Sequence, residues 1–291
     1  MSKFTPPTAA RGRNATIEIL RYVGAVGIVW FHLGGPVSWI GHAALILFIV
    51  ISIYFALSQN GLTWKRTRVL ELWLVWSAIY LVMKIAQAVM DGKSILTEFE
   101  PWMLLTGPVL PLWFLPFIYV ATGLASTYRL KVAAPPPWIE GIALSAGILA
   151  FMTVLQVSPG VPFAQWCIGF SAVCLALAIY RAKISYIPLG LVMVTLALAV
   201  TTGQLGESRL LLLAAPVAIW TFLFAPNWQS DLAEKLGGLA LPLYLLHPGL
   251  DAVTTLLLPD LEAVTKIVLV IIAATTIGFI MQRTAFLRRF I

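Results

Sequence analysis

The chain has little charge: of its 291 residues only 11% are Asp, Glu, Lys or Arg, whereas 60% are hydrophobic and the mean hydropathy is +0.93. A soluble domain of this length would need polar side chains over most of its exterior. With so few available, that exterior must face lipid. Histidine occurs three times and cysteine twice, and these residues show no metal-ligand spacing, so no metal centre is expected. Cys167 and Cys174 lie two turns apart on one expected helix, roughly 10 Å along its axis, which is too far for a disulfide and marks them as packing residues. A glycine-rich phosphate loop, a Ser-His-Asp arrangement and an internal repeat are all missing. The net charge of +7 and pI of about 9.6 would suit nucleic acid if the basic residues were massed on one face or tail. They are instead scattered among short loops, which excludes that partner and makes them a topology signal.

Long apolar runs are what the chain does have, at residues 17–33, 38–58, 69–89, 112–128, 138–156, 163–180, 184–202, 210–225, 237–258 and 264–282. Each approaches the ~20 residues that cross a bilayer as a helix, and none shows the period-two alternation of a membrane barrel. The expectation is an all-α polytopic membrane protein of about ten transmembrane helices, a single domain over residues 1–291. With the N-terminus inside, 14 of the 19 basic residues fall in cytoplasmic segments, including Lys65, Arg66, Arg68, Arg181, Lys183 and Arg288. Both termini are then cytoplasmic. The first run resembles a secretory signal, but Glu18 and Arg21 interrupt it and no small-residue cleavage site follows, so it should remain as helix one. The outer loop from Asp91 to Pro111, with Trp102, reads as a re-entrant or interfacial segment.

Ionisable groups inside spans are costly and mark functional sites. Helix one carries three. Arg21 and His32 are eleven positions apart, hence on one face and roughly 16 Å apart along the axis, with Glu18 one turn before Arg21. The plain alternative is an intrahelical Glu18–Arg21 pair and an interfacial His32. His247 and Asp251 form an H-x-x-x-D pattern four positions apart, and His42 begins the second run as an interfacial residue. An imidazole is the group best able to take a hydroxyl proton near neutral pH.

These residues are similar to the acyltransferase-3 family of membrane O-acyltransferases. That family's first helix carries an Arg, ten residues and a His, matched by Arg21 and His32 in RYVGAVGIVWFH. FIVISIY from Phe48 to Tyr54 resembles its second-helix motif, with Ser52 matching and Ile53 in place of a glycine. Lys65 and Arg68 take the spacing of its two loop arginines, with Arg66 an extra cation and Lys65 a departure. LWFLPFIY from Leu112 to Tyr119 and LPLYLLHP from Leu241 to Pro248 match two later blocks.

The resemblance implies transfer of an acyl group, often acetyl, from cytoplasmic acyl-CoA to a hydroxyl of a cell-surface or lipid-linked glycan, in the bacterial inner membrane. Acyl-CoA, typically acetyl-CoA, is then a co-substrate and no cofactor is permanently bound. By the same resemblance His32 is the general base and Arg21 its catalytic companion, while Lys65, Arg66 and Arg68 hold the donor phosphates. Glu18, Ser52, Trp113, Phe114, Tyr244 and His247 line the site. Two rival readings remain: a transporter or flippase whose path includes Glu18, Arg21, Lys84 and Asp251, and a relative that binds a lipid-linked glycan without turnover.

Overall fold

The computed structural model describes residues 13–58, 66–131, 135–203 and 207–291. Among them there is no strand, and each of the ten apolar runs contains a helix. The helices are α1 (Ala15–His32), α2 (Ser38–Ser58), α3 (Arg66–Met90), the single turn α4 (Met103–Thr106), α5 (Phe114–Lys131), α6 (Pro137–Gln156), α7 (Phe163–Arg181), α8 (Ile187–Thr201), α9 (Ser208–Ile219), α10 (Asp231–Leu257) and α11 (Ala263–Arg283). Seven segments are long and apolar enough to cross a membrane, those of α2, α3, α5, α6, α7, α10 and α11. The other three fall short for separate reasons. Glu18 and Arg21 dilute α1, while α8 and α9 span only 15 and 12 residues. A π-type turn at Trp220–Phe224 continues α9.

Local signals set the helix ends. Asn14 caps α1, its side chain accepting from the Thr16 amide at 2.9 Å. The Ser230 hydroxyl caps α10, and Asp231 and Glu234 follow in its first turn, where acidic groups favour the positive end of the helix dipole. That polar start is why α10 begins six residues before its apolar run. Glu262 caps α11, accepting the Thr265 amide at 2.8 Å. The N–H groups of Val264 and Thr265 hold its carboxyl below the usual range.

The bundle is organised around α2, which packs on α1, α5, α7 and α9. Two thirds of its apolar window is buried, whereas only 17% of that of α3 is, so α3 turns most of its surface to lipid. Close approach between helices rests on glycine. A Cβ at Gly41 would overlap the Gly27 carbonyl of α1 and lie 3.0 Å from its carbon, so α1 and α2 touch backbone to backbone. Away from this seam, Glu140 of α6 is 3% exposed. It accepts from Tyr128 Oη at 2.5 Å and Arg181 Nε at 2.7 Å, tying together α5, α6 and α7.

Residues 91–113 form a capping segment of two 3₁₀ turns, Ile95–Glu98 and Leu110–Trp113, flanking α4. Leu96 is 82% and Leu104 79% exposed. This apolar surface suits the interfacial placement expected for the loop.

Candidate functional site

Helices α1 and α10 lie side by side and parallel, since Glu18 touches Gly237 near one end of the pair and His32 meets His247 near the other. A Cβ on Gly237 would overlap Glu18 Oε2 outright and lie 2.7 Å from its Cβ, so the glycine is what admits the carboxylate. Arg21 Nη1 donates to both Glu18 oxygens, at 3.1 and 2.9 Å. The Glu18 side chain is 5% exposed and that of Arg21 28%, so the anion is sealed and its partner half open. The intrahelical pair is therefore formed, and both residues sit on the α1–α10 seam.

At the other end of the seam α10 runs on as one helix with a proline inside it. Pro248 has no N–H, which leaves the carbonyl of Tyr244, four residues back, without its helical donor. His247 Nδ1 lies 2.7 Å from that oxygen. A carbonyl only accepts, so Nδ1 carries the proton and Nε2 keeps the lone pair. His247 is 1% exposed, and its Nε2 has no hydrogen-bond partner among the described residues. One residue on, the Tyr80 hydroxyl of α3 stands in the helix ladder. It donates to the Leu245 carbonyl at 2.5 Å and accepts from the Gly249 amide at 3.2 Å. The turn around Pro248 is thus bonded to a side chain from another helix.

His32 lies over this buried imidazole. The two rings are stacked, 5.3 Å between centroids and 23° apart in plane, and unlike His247 the residue His32 is exposed. His32 also has Phe31 tilted against it at 5.2 Å and 59°, and His42 stacks on Phe31 at 4.3 Å. One imidazole is open to an incoming group, and a second stands behind it with its tautomer set by backbone.

The remaining expected site residues divide. Tyr244 donates through its hydroxyl to the Pro111 carbonyl and packs edge-on against Phe114 at 5.6 Å. Phe114 and Tyr244, with Ile28, Leu45, Phe48 and Leu241, enclose a small void of about 20 Å³ with no polar lining. Trp113 is buried and packs on Phe114 and Phe117. The Ser52 hydroxyl donates to the Phe48 carbonyl of its own helix at 2.8 Å, so its described bond is within α2. Arg68 lies far from the imidazoles in the fold. Its Nη2 donates to the backbone oxygens of Ile291 at 2.5 Å and Arg288 at 3.4 Å, and Trp76 Nε1 donates to Phe290 O at 2.8 Å. Arg68 thus anchors the segment that follows α11. Lys65 lies outside the described residues, and Arg66 is the first residue of α3.

Asp251 does not complete the H-x-x-x-D pattern as a dyad, because it pairs with Lys266 of α11 at 2.5 Å while His247 turns to Tyr244. Lys84 pairs with Glu98 at 3.6 Å. The four charged residues of the transporter reading accordingly fall into three ion pairs. Sequence reasoning did not single out Tyr80. A proline after a histidine inside an apolar helix already implies a freed carbonyl at Tyr244, but nothing local to Tyr80 shows that it reaches α10.

Residues 14–283 match the family model of the acyltransferase-3 group, described as an acyltransferase domain. The chain belongs to the acyltransferase-3 family. No curated protein and no solved structure matches it. The matched range includes the whole α1–α10 seam and both imidazoles, and the membership makes this chain a membrane acyltransferase by family.

Proposed function

We propose that this acyltransferase moves an acyl group, acetyl in the simplest case, from cytoplasmic acyl-CoA to a hydroxyl of a cell-surface or lipid-linked glycan. The observation that carries the reading is the stacked pair of imidazoles on α1 and α10, one exposed and one buried with a set tautomer. His32 takes the proton of the acceptor hydroxyl as its oxygen attacks the thioester carbon. The C–O ester bond forms, the C–S bond breaks, and the CoA thiolate leaves to be protonated from water. Such base assistance is worth ~10²–10⁴-fold when the groups are well placed. His247 supports the ring that does this work by stacking against it.

Arg21 uses Nη1 for Glu18, and its remaining guanidinium donors serve the acyl donor. Lys65 and Arg66 meet the donor phosphates at the inner mouth, as point charge and fork respectively. Arg68 divides its role between that mouth and the tether to Ile291. The enzyme spans the bacterial inner membrane ten times with both termini in the cytoplasm, α1, α8 and α9 crossing with the seven longer helices. Two contacts support that arrangement: the Arg13 amide donates to Glu234 at 2.9 Å, and Arg68 reaches Arg288 and Ile291, so these basic segments gather as the positive-inside rule requires.

The test is mass spectrometry of ester-linked acyl groups on surface glycans and lipids, comparing wild type with His32→Ala at equal expression. Loss of one ester class is expected. An ester profile identical in the two strains refutes the assignment, and His247→Ala in the same assay separates the base from its supporting ring.

A further inference from the structure

Between α3 and the C-terminal half of α10, next to Tyr80, lies a cavity of about 800 Å³ that Asp91, Lys93, Glu98, Pro108 and Val109 also line. That volume lies within the ~300–1,000 Å³ of small-molecule sites. Its lining includes Pro248, the residue after His247, and Tyr80, which bonds to the same turn of α10. It lies at the same end of the bundle as His32, because α1 and α10 are parallel and the cavity takes the C-terminal half of α10.

The charges on its walls cancel in pairs. Lys84 meets Glu98 at 3.6 Å, both side chains about a quarter exposed, and Lys93 meets Asp91 at 2.9 Å. Gln87 and Thr255 add neutral hydrogen-bonding groups. A surface with donors and acceptors but no surplus cation does not suit the phosphates of CoA, and it does suit a hydroxyl-rich head without net charge. Met83, Val253 and Leu256 supply an apolar wall beside that polar patch. Met90 and Leu256, both lining residues, are 68% and 67% exposed. With the largely exposed α3 they give the cavity an apolar flank, which suits lipid better than water.

We infer that this cavity is the binding site for a neutral, lipid-borne sugar, whose head lies against Lys84, Gln87 and Glu98 and whose chains leave between α3 and α10 into the membrane. The inference rests on the transferase reading for its purpose, since the head then ends beside Pro248, next to His247. Binding itself requires no turnover.

The experiment uses the full protein in phosphatidylcholine vesicles with a glucosyl diacylglycerol carrying a diazirine in one acyl chain. Peptide mass spectrometry maps the label. Labelling is expected on residues 83–90 and 252–256, competed by unlabelled glucosyl diacylglycerol and not by methyl glucoside at equal concentration. The Lys84→Gln/Glu98→Gln variant, which keeps the shapes and removes the charges, should label about tenfold less, as should the loop variant Glu98→Gln in part, while His32→Ala labels as wild type. Equal labelling by diazirine phosphatidylcholine, competition by methyl glucoside, or full labelling of the charge-free variant overturns the site. An ester profile indifferent to His32 with labelling intact overturns only the transferase reading.

Discussion

Gly237→Ala tests whether the α1–α10 seam is as tight as its geometry requires. The added methyl would overlap Glu18 Oε2 and lie 2.7 Å from Glu18 Cβ and 2.8 Å from Cδ. A carboxylate oxygen at the end of a flexible side chain can swing away, but a Cβ is fixed to its helix. The clash therefore forces α1 from α10 by several tenths of an ångström at least. Overpacking of this kind costs about 1–3 kcal/mol, and turning Glu18 from its bidentate contact with Arg21 adds to it. About 3 kcal/mol in total corresponds to a fall in melting temperature of roughly 6–12 °C for a chain of this class. Helix displacement also travels along the seam to the His32–His247 stack, where an offset of ~1 Å costs about 100-fold in rate. The assay is thermal unfolding in detergent followed by ester analysis. Glu18→Ala/Gly237→Ala should recover only part of the stability, because the Cβ contact remains and Arg21 loses its partner. A Gly237→Ala protein that melts with wild type and forms the same esters would refute the argument.

Other perturbations separate structure from chemistry. Pro248→Ala supplies an N–H for the Tyr244 carbonyl, so it should hold or raise the melting temperature, because an interior proline costs a helix about 3 kcal/mol, yet lower ester formation by freeing the His247 ring. Tyr80→Phe removes the hydroxyl between Leu245 and Gly249, and faster amide exchange around Gly249, measured by hydrogen–deuterium exchange, is the expected readout. Glu140→Ala strands the Arg181 guanidinium, 14% exposed, and should cost about 3–5 kcal/mol in a melting assay while the folded fraction keeps its activity. Arg68→Ala should expose residues 284–291 to limited proteolysis, and a rise in KM for acyl-CoA in the same variant would show that this guanidinium also serves the donor.

Much of the fold was legible before any coordinates. Continuous apolar runs can only be satisfied as helices in lipid, where backbone groups must bond within their own segment, and each run does contain a helix. The Arg21–His32 spacing placed both residues on one face of α1, and the Glu18–Arg21 pair followed from their one-turn separation. The ends were less certain wherever polar caps extend a helix beyond its apolar run, as Ser230 does for α10. Length is also why seven helices, and not ten, qualify as spans by themselves: α8 and α9 are short, and α1 carries its charges inside.

What composition and periodicity settled alone, then, was the solvent, the helical class and the position of each ionisable group along its own helix, because those depend on local pattern and on the absence of water in the bilayer. Packing decided which groups meet. His32 stacks on His247, Tyr80 bonds the turn of α10 around Pro248, Asp251 turns to Lys266 and Arg68 holds Ile291, each across a separation in the chain that no local spacing encodes. Those contacts depend on how closely helices approach, and that distance is set by the small residues facing one another at Gly27 and Gly41, and by Gly237 facing Glu18.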